Sequence, residues 1–360
     1  MMTNLDIAHQ RLYNQHIAGS PFEKPEEVVA WLGAVQAQDY LGAKWALGLR
    51  MQQGTGEVIE QALAEGTILR THLMRPTWHF VTPADIRWIL ALTAPRVNGV
   101  NGSMYRKLEL DEALFRRSNA LIAKALQGGQ QLTRAELGSA LAEAGIVAEG
   151  LRLGYIIHRA ELDAVVCSGG RRGKQLTYAL LDERAPQAKT LARDEALAEL
   201  TKRYFASHGP AMVQDFAWWS GLTKADAKAG LEMSRSHLVE EVVDGRSYWR
   251  SSALPTAENS SPTAYLLPPY DEYTIAYKDH RAILDPRHAQ PARDAVYGGA
   301  IVIDGQVAGY WRRTFKKATV VIELNPFMAL NEAQYRAIRA AAEGYGAFVN
   351  MAVVMSRGNG

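Results

Sequence analysis

The sequence predicts an α+β fold: about three tandem winged helix-turn-helix units, then a small C-terminal α+β region rich in strands. Three observations predict it. Amphipathic helical segments recur in groups that end in a pair of short apolar or alternating segments. Gly-rich or Asp-Gly turns join those pairs, and a Ser/Pro/Ala-rich stretch separates the pattern from a closing set of strands. A chain of 360 residues has length for two or three domains. Its formal net charge of +2 excludes a histone-like polycation, although local patches, not the sum, decide nucleic-acid binding.

The first unit is expected within residues 1–110. Leu5–Ala18 has helical spacing and ends near Gly19, with Pro21 and Pro25 marking a turn. Glu26–Val35 reads as a second helix and Glu57–Ala64 as a third. Thr67–Thr71 and Thr77–Val81 read as strands around Arg75-Pro76, and Thr82-Pro83 opens a capped helix. The second unit spans 111–185. Asp111–Leu126 is helical, Thr133-Arg134-Ala135-Glu136 is a capping box opening Leu137–Ala144, and Glu149–Glu161 takes the recognition position. Ala164–Leu181 reads as a hairpin with Gly169–Lys174 at its tip. The third unit spans 186–255: helices at Asp194–Ser207, Met212–Trp219 and Thr223–Met233, then a hairpin turning at Asp244-Gly245. Ser251–Thr263 reads as a linker. The region 263–360 holds strands at Ala300–Asp304, Gln306–Arg312 and Thr319–Leu324, a helix at Glu332–Gly344 and a strand at Phe348–Met355.

Cys167 is the only cysteine, so no internal disulfide and no cysteine-rich zinc site is expected. The first dozen residues lack the pattern of a signal peptide, and apolar runs such as Ile86–Leu92 are too short to span a bilayer. A cytoplasmic protein, monomeric and without a membrane partner, is the expectation.

Several residues carry candidate chemistry. Gln36 and Gln38 sit beside Asp39 and Tyr40. Amides donate and accept hydrogen bonds without being strong bases, so a pair can orient a water. Residues two apart face one side only in extended chain, so joint action requires that the backbone leave helical geometry there. The spacing fits equally an amide cap beside a solvated glutamine. On the second hairpin, Arg171, Arg172 and Lys174 have no acidic residue near them in sequence, which suits phosphate contact over the alternative of a solvated loop tip. Trp311–Lys317, with Arg312, Arg313, Lys316 and Lys317, fits either stacking and phosphate contact or a lysine-protected sheet edge. His72 and His79 flank the first hairpin with Arg70, Arg75 and Trp78, in no zinc-like spacing. Trp45, Trp218 and Trp219 read as core aromatics. In the turn Pro268–Tyr273, adjacent carboxylates could bind a metal or act as a base, but the paired prolines and aromatic rings favour a structural role; of the two carboxylates, Asp271 is the better functional candidate.

These stretches together resemble the AlkZ-type winged-helix DNA glycosylases, whose relatives include the YcaQ-like bacterial proteins. The resemblance covers nearly the whole chain and rests on Gln36-Ala37-Gln38, Met74–Val81, Asp215–Leu222, Leu266–Tyr273 and Tyr277-Lys278-Asp279. It implies tandem winged helices arranged around double-stranded DNA and hydrolysis of the N-glycosidic bond of an alkylated purine, typically N7-alkylguanine, with crosslinks unhooked by some members. It implies catalytic roles for Gln36 and Gln38, support from Asp39, Tyr40, His79 and Asp271, and DNA contacts from Arg75 and the two basic stretches. No metal and no cofactor is expected. The competing expectation is a winged-helix DNA-binding protein or regulator without catalysis.

Overall fold

A computed structural model describes residues 2–254, 263–288 and 295–358. The expected linker falls largely outside them.

Three stretches share one element order: a helix, a short strand, two helices and a hairpin. The first is α2 (Pro25–Leu32), β1 (Val35–Gln36), α3 (Tyr40–Gly48), α4 (Gly56–Glu65), β2 (Leu69–Leu73) and β3 (Thr77–Val81). After α5 (Ile86–Lys107), the second comprises α6 (Glu112–Leu126), β4 (Leu132–Thr133), α7 (Arg134–Glu143), α8 (Gly150–Leu162), β5 (Val166–Ser168) and β6 (Thr177–Leu180). A short α9 (Leu181–Arg184) leads to the third: α10 (Arg193–Ser207), α11 (Val213–Ser220), α12 (Lys224–Ser234), β7 (Leu238–Val243) and β8 (Arg246–Ser251). In each, the short strand pairs antiparallel with the last strand: Gln36 opposite His79, Thr133 opposite Thr177, and Ala211 bridging to Trp249. Capping boxes start α7 at Thr133 and α12 at Thr223, as their Thr-x-x-acid patterns require.

The C-terminal region is a five-stranded sheet in the order β13-β12-β11-β10-β9. Its strands are β9 (Ala264–Leu267), β10 (Ala300–Ile303), β11 (Gln306–Phe315), β12 (Thr319–Pro326) and β13 (Ala352–Arg357). The parallel β12–β13 pair is joined by α14 (Glu332–Val349), which Asn350 ends in the left-handed region at φ 55°. Tyr345 and Phe348 of α14 pack on Trp45 of α3 at ring separations of 5.1 and 5.0 Å. The first stretch and this sheet thus share one apolar core. Helix α1 (Asn4–Asn14) packs instead against the inner face of β9 and β10. No helix among the described residues is long and apolar enough to cross a membrane.

Several expectations are corrected. Helix α2 stops at Leu32, because Gly33 takes φ 79° and turns the chain into β1. Helix α3 was hidden by Gly42 and Gly48, the second demanded by packing: a Cβ on Gly48 would meet Phe348 at 2.6 Å. Strand β11 is flanked on both sides only over Gln306–Tyr310; from Arg312 to Phe315 it pairs with β12 alone, so this basic stretch lies on a local sheet edge and both readings of it stay open. Trp219 is buried as expected, but Trp218 is 41% exposed, with its indole N–H bonded to the Ile275 carbonyl.

Candidate active site

The glutamine pair leaves helical geometry, as joint action requires. Gln36 is buried on β1, and Ala37 extends the ladder by donating its N–H to the Trp78 carbonyl at 2.6 Å. The Arg70 guanidinium donates twice to the Ala37 carbonyl, at 3.1 and 3.0 Å, and lies 4.3 Å from the centre of the Trp78 ring. The peptide between the two glutamines is therefore held at both its N–H and its C=O. Gln38 is exposed and has no hydrogen bond to another described residue.

Gln36 itself is held from two sides. Its backbone N–H donates to Glu272 Oε1 at 2.7 Å. Its side-chain Oε1 accepts from Arg75 Nη2 at 2.7 Å. Since a guanidinium can only donate, this contact fixes which end of the amide is oxygen. Glu272 is wholly buried; its other oxygen accepts the Trp219 indole N–H at 2.9 Å and lies 3.5 Å from His208 Nε2. Burial alone would raise the Glu272 carboxyl, but the His208 ring and the Gln36 N–H outweigh it and hold the group below its usual range. Burial lowers the Arg75 guanidinium, opposed by the field of Glu272. A close approach at Gly221, where a Cβ would sit 2.7 Å from the Met74 carbonyl, locks the turn bearing Arg75 against the end of α11.

His79, across the ladder from Gln36, is fully buried; burial first, then the Arg75 charge, push it down to about 3. Its Nδ1 lies 2.9 Å from the Thr77 carbonyl, so the neutral ring donates there and keeps a lone pair on Nε2. Asp39 caps α3 by accepting from the Gly42 N–H at 3.0 Å and lies 3.6 Å from Arg313. It opens onto a cleft of about 650 Å³ that Tyr310, Arg312, Arg313, Gly298 and Pro269 also line. Tyr40 donates to Glu60 at 2.9 Å, and burial together with that carboxylate raises its phenol.

Asp271 is engaged away from the glutamine pair. It caps the short helix α13 (Glu272–Ile275) and forms a bidentate ion pair with Arg50 at 3.0 and 2.9 Å, both groups wholly buried. Both of its oxygens are taken, so the carboxylate that reaches the glutamine motif is its neighbour Glu272. The only available signal was positional: the residue before a helix turns its carboxylate onto the helix N–H groups, which frees the next one to point elsewhere.

The cations divide into two sets. Arg75 is half-buried against Gln36. Arg171 lies 3.5 Å from Glu60 and 5.6 Å from the Tyr40 ring, and Arg172 pairs with Glu136. Acidic partners absent nearby in sequence thus arrive from α4 and α7. Lys174 lines a second cleft, of about 610 Å³, with Arg70, Trp78, Glu161 and Tyr178. Arg312, Lys316 and Lys317 are exposed. Behind the first hairpin, His72 Nδ1 lies 2.5 Å from Glu161, and its ring stacks between Trp78 and His158 at 4.2 and 3.9 Å.

The solved structure of Streptomyces sahachiroi DNA glycosylase AlkZ superposes with a TM-score of 0.80 at 23% identity. It covers 99% of this chain and 100% of that one, a likeness that shows a shared α+β fold. An interstrand DNA cross-link repair glycosylase of Streptomyces sahachiroi is 27% identical over 320 residues, covering 84% of this chain and 85% of that protein. The family model for AlkZ-like DNA glycosylases matches residues 29–348, and the chain belongs to that family.

Proposed function

We propose that the protein is a monofunctional DNA glycosylase that hydrolyses the N-glycosidic bond of alkylated purines in double-stranded DNA. N7-alkylguanine is the expected lesion, with bulky adducts or interstrand crosslinks within range. The observation that carries this reading is the buried, oriented Gln36 beside the exposed Gln38, in a chain of this family and next in sequence to Asp39, which lines a cleft bearing Arg312 and Arg313. The name of the cross-link repair relative supports the same chemistry.

N7-alkylation makes guanine a cationic and therefore good leaving group, so no strong general acid is required. What remains is to place a water and to stabilise an oxocarbenium-like sugar, as in other glycoside cleavage. Fixed amide dipoles suit both tasks. Water, the lesion and the chain's own side chains suffice, so the reading calls on no cofactor.

In this reading the three stretches of common element order are winged helices, with units at 1–110, 111–185 and 186–255 and a C-terminal region at 263–360. Lys174, Arg312, Lys316 and Lys317 contact the DNA backbone, with Arg171 and Arg172 joining once released from Glu60 and Glu136. A monomer acting in the cytoplasm is sufficient for such a clamp.

The test is incubation with duplex DNA containing N7-methylguanine and chromatography of the released base. Free 7-methylguanine and an intact strand bearing an abasic site are expected. Binding without release would make the protein a non-catalytic DNA-binding module.

A further inference from the structure

We propose that the two glutamines have opposite and fixed roles: Gln36 donates to the attacking water, Gln38 accepts from it, and Arg75 and Glu272 are positioning residues that impose this division. The inference rests on the glycosylase reading and deepens it.

The argument starts from the amide of Gln36. Arg75 Nη2 donates to its oxygen at 2.7 Å, and Glu272 takes the backbone N–H at 2.7 Å. The side-chain NH2 is then the end left to face a substrate, and it can only donate. A donor aimed at water binds a lone pair on the water oxygen and turns the water's protons elsewhere. Gln36 therefore cannot take the proton that must leave.

An acceptor has to come from another group, and the lone pair on His79 Nε2 is wholly buried, out of reach of such a water. Both oxygens of Glu272 are engaged, by the Gln36 N–H and the Trp219 indole. Asp39 is engaged by the Gly42 N–H and lies against Arg313. Gln38 follows two residues on, in the bend after β1, exposed, and no described residue fixes its amide. Its oxygen is free to accept, and its exposure gives the proton a route to solvent.

The step balances without a further reagent. The water oxygen bonds to C1′ as the C1′–N9 bond breaks. That electron pair goes to N9 and neutralises the cationic base. One water proton passes along the hydrogen bond at Gln38 to bulk solvent, leaving a sugar hydroxyl and a neutral N7-alkylguanine.

Arg75 owes its place to Glu272. A guanidinium beside a neutral amide in a buried setting needs a counter-charge, and Glu272, across the Gln36 backbone, supplies the field. The neighbouring carboxylate Asp271 is spent on Arg50.

The test is single-turnover release of 7-methylguanine at saturating duplex DNA, across pH, for the parent, Gln36→Glu, Gln38→Glu, Arg75→Met and Arg75→Lys. Gln36→Glu has no donor and pairs with Arg75, so a loss of about 100-fold at every pH is expected. Gln38→Glu keeps an acceptor, so a smaller loss is expected, together with a new acid limb where the introduced carboxylate protonates. Arg75→Met frees the Gln36 amide to flip; its loss of about tenfold should lie in the rate at saturation and not in DNA affinity, and Arg75→Lys should recover most of it. Equal losses for the two Glu variants, an acid limb in Gln36→Glu instead, or an Arg75→Met defect confined to affinity would overturn the division of roles. A parent that releases no base overturns the glycosylase reading itself, and this inference with it.

Discussion

The β2–β3 and β5–β6 hairpins occupy the same place in the first and second stretches, yet the first has a short turn beside the glutamine motif while the second carries a long tip out to the surface. All five residues of β2 are buried, and β3 carries the buried His79 opposite Gln36. The tip of the second hairpin is exposed, and its cations meet carboxylates at the surface. The difference lies in what covers them. The first hairpin has α8 and β5 on one side and the 268–273 turn with α11 on the other. The second packs its strands against β2 and α9 and leaves its tip to solvent. Burial turns charges into fixed fittings for the glutamine pair, whereas exposure leaves them exchangeable, as a DNA backbone contact requires.

The largest effect should come from breaking a buried charge pair near the first hairpin. Asp271→Ala strands the Arg50 guanidinium, so unfolding free energy should fall by about 3–5 kcal/mol in urea titration. A loss below about 1 kcal/mol would mean that the pair is screened like the surface ones.

Acid should act on the same region. His79 and His158, both held at about 3 by burial, are depressed from the ordinary 6.5. The unfolded chain therefore binds more protons than the folded one between pH 6.5 and 3. The stability these rings contribute is present above pH 6.5 and is lost as pH falls towards 3, by up to about 1.4 kcal/mol per pH unit for each ring. His79→Gln should flatten that dependence; an unchanged slope would show that the ring titrates normally.

The wing should be nearly silent in stability. Arg171→Ala removes a half-exposed ion pair with Glu60 worth about 0–1 kcal/mol. Replacing Arg171, Arg172 and Lys174 together should lower the slope of log affinity against log salt by about 0.9 for each phosphate that these cations neutralise. An unchanged slope removes this wing from the DNA interface.

Much of the fold was legible because local signals agreed with it. The Thr133 and Thr223 capping boxes, the Asp244-Gly245 and Asp304-Gly305 turns and the strand Thr77–Val81 all stand where the sequence puts them. Strands β1, β4 and the Ala211 bridge were not legible. Two residues or one carry no periodicity, and their pairing is set by contacts across the chain. In the candidate site, Gln36 and Gln38 were legible as a motif, but the residues that hold Gln36 were not. Glu272 reaches it from 236 positions away and Trp219 reaches Glu272 from 53. Choosing between Asp271 and Glu272 needed the start of α13, a helix of four residues with no period of its own. Likewise, the acidic partners of Arg171 and Arg172 come from other helices, where a local charge count cannot see them.

The most direct measurement is base release from N7-methylguanine duplex DNA by Gln36→Ala and Gln38→Ala, with DNA occupancy followed in the same reactions. The account predicts that each substitution lowers release by about 100-fold or more while the bound fraction stays close to the parent's. Release at the parent's rate by both variants would contradict it.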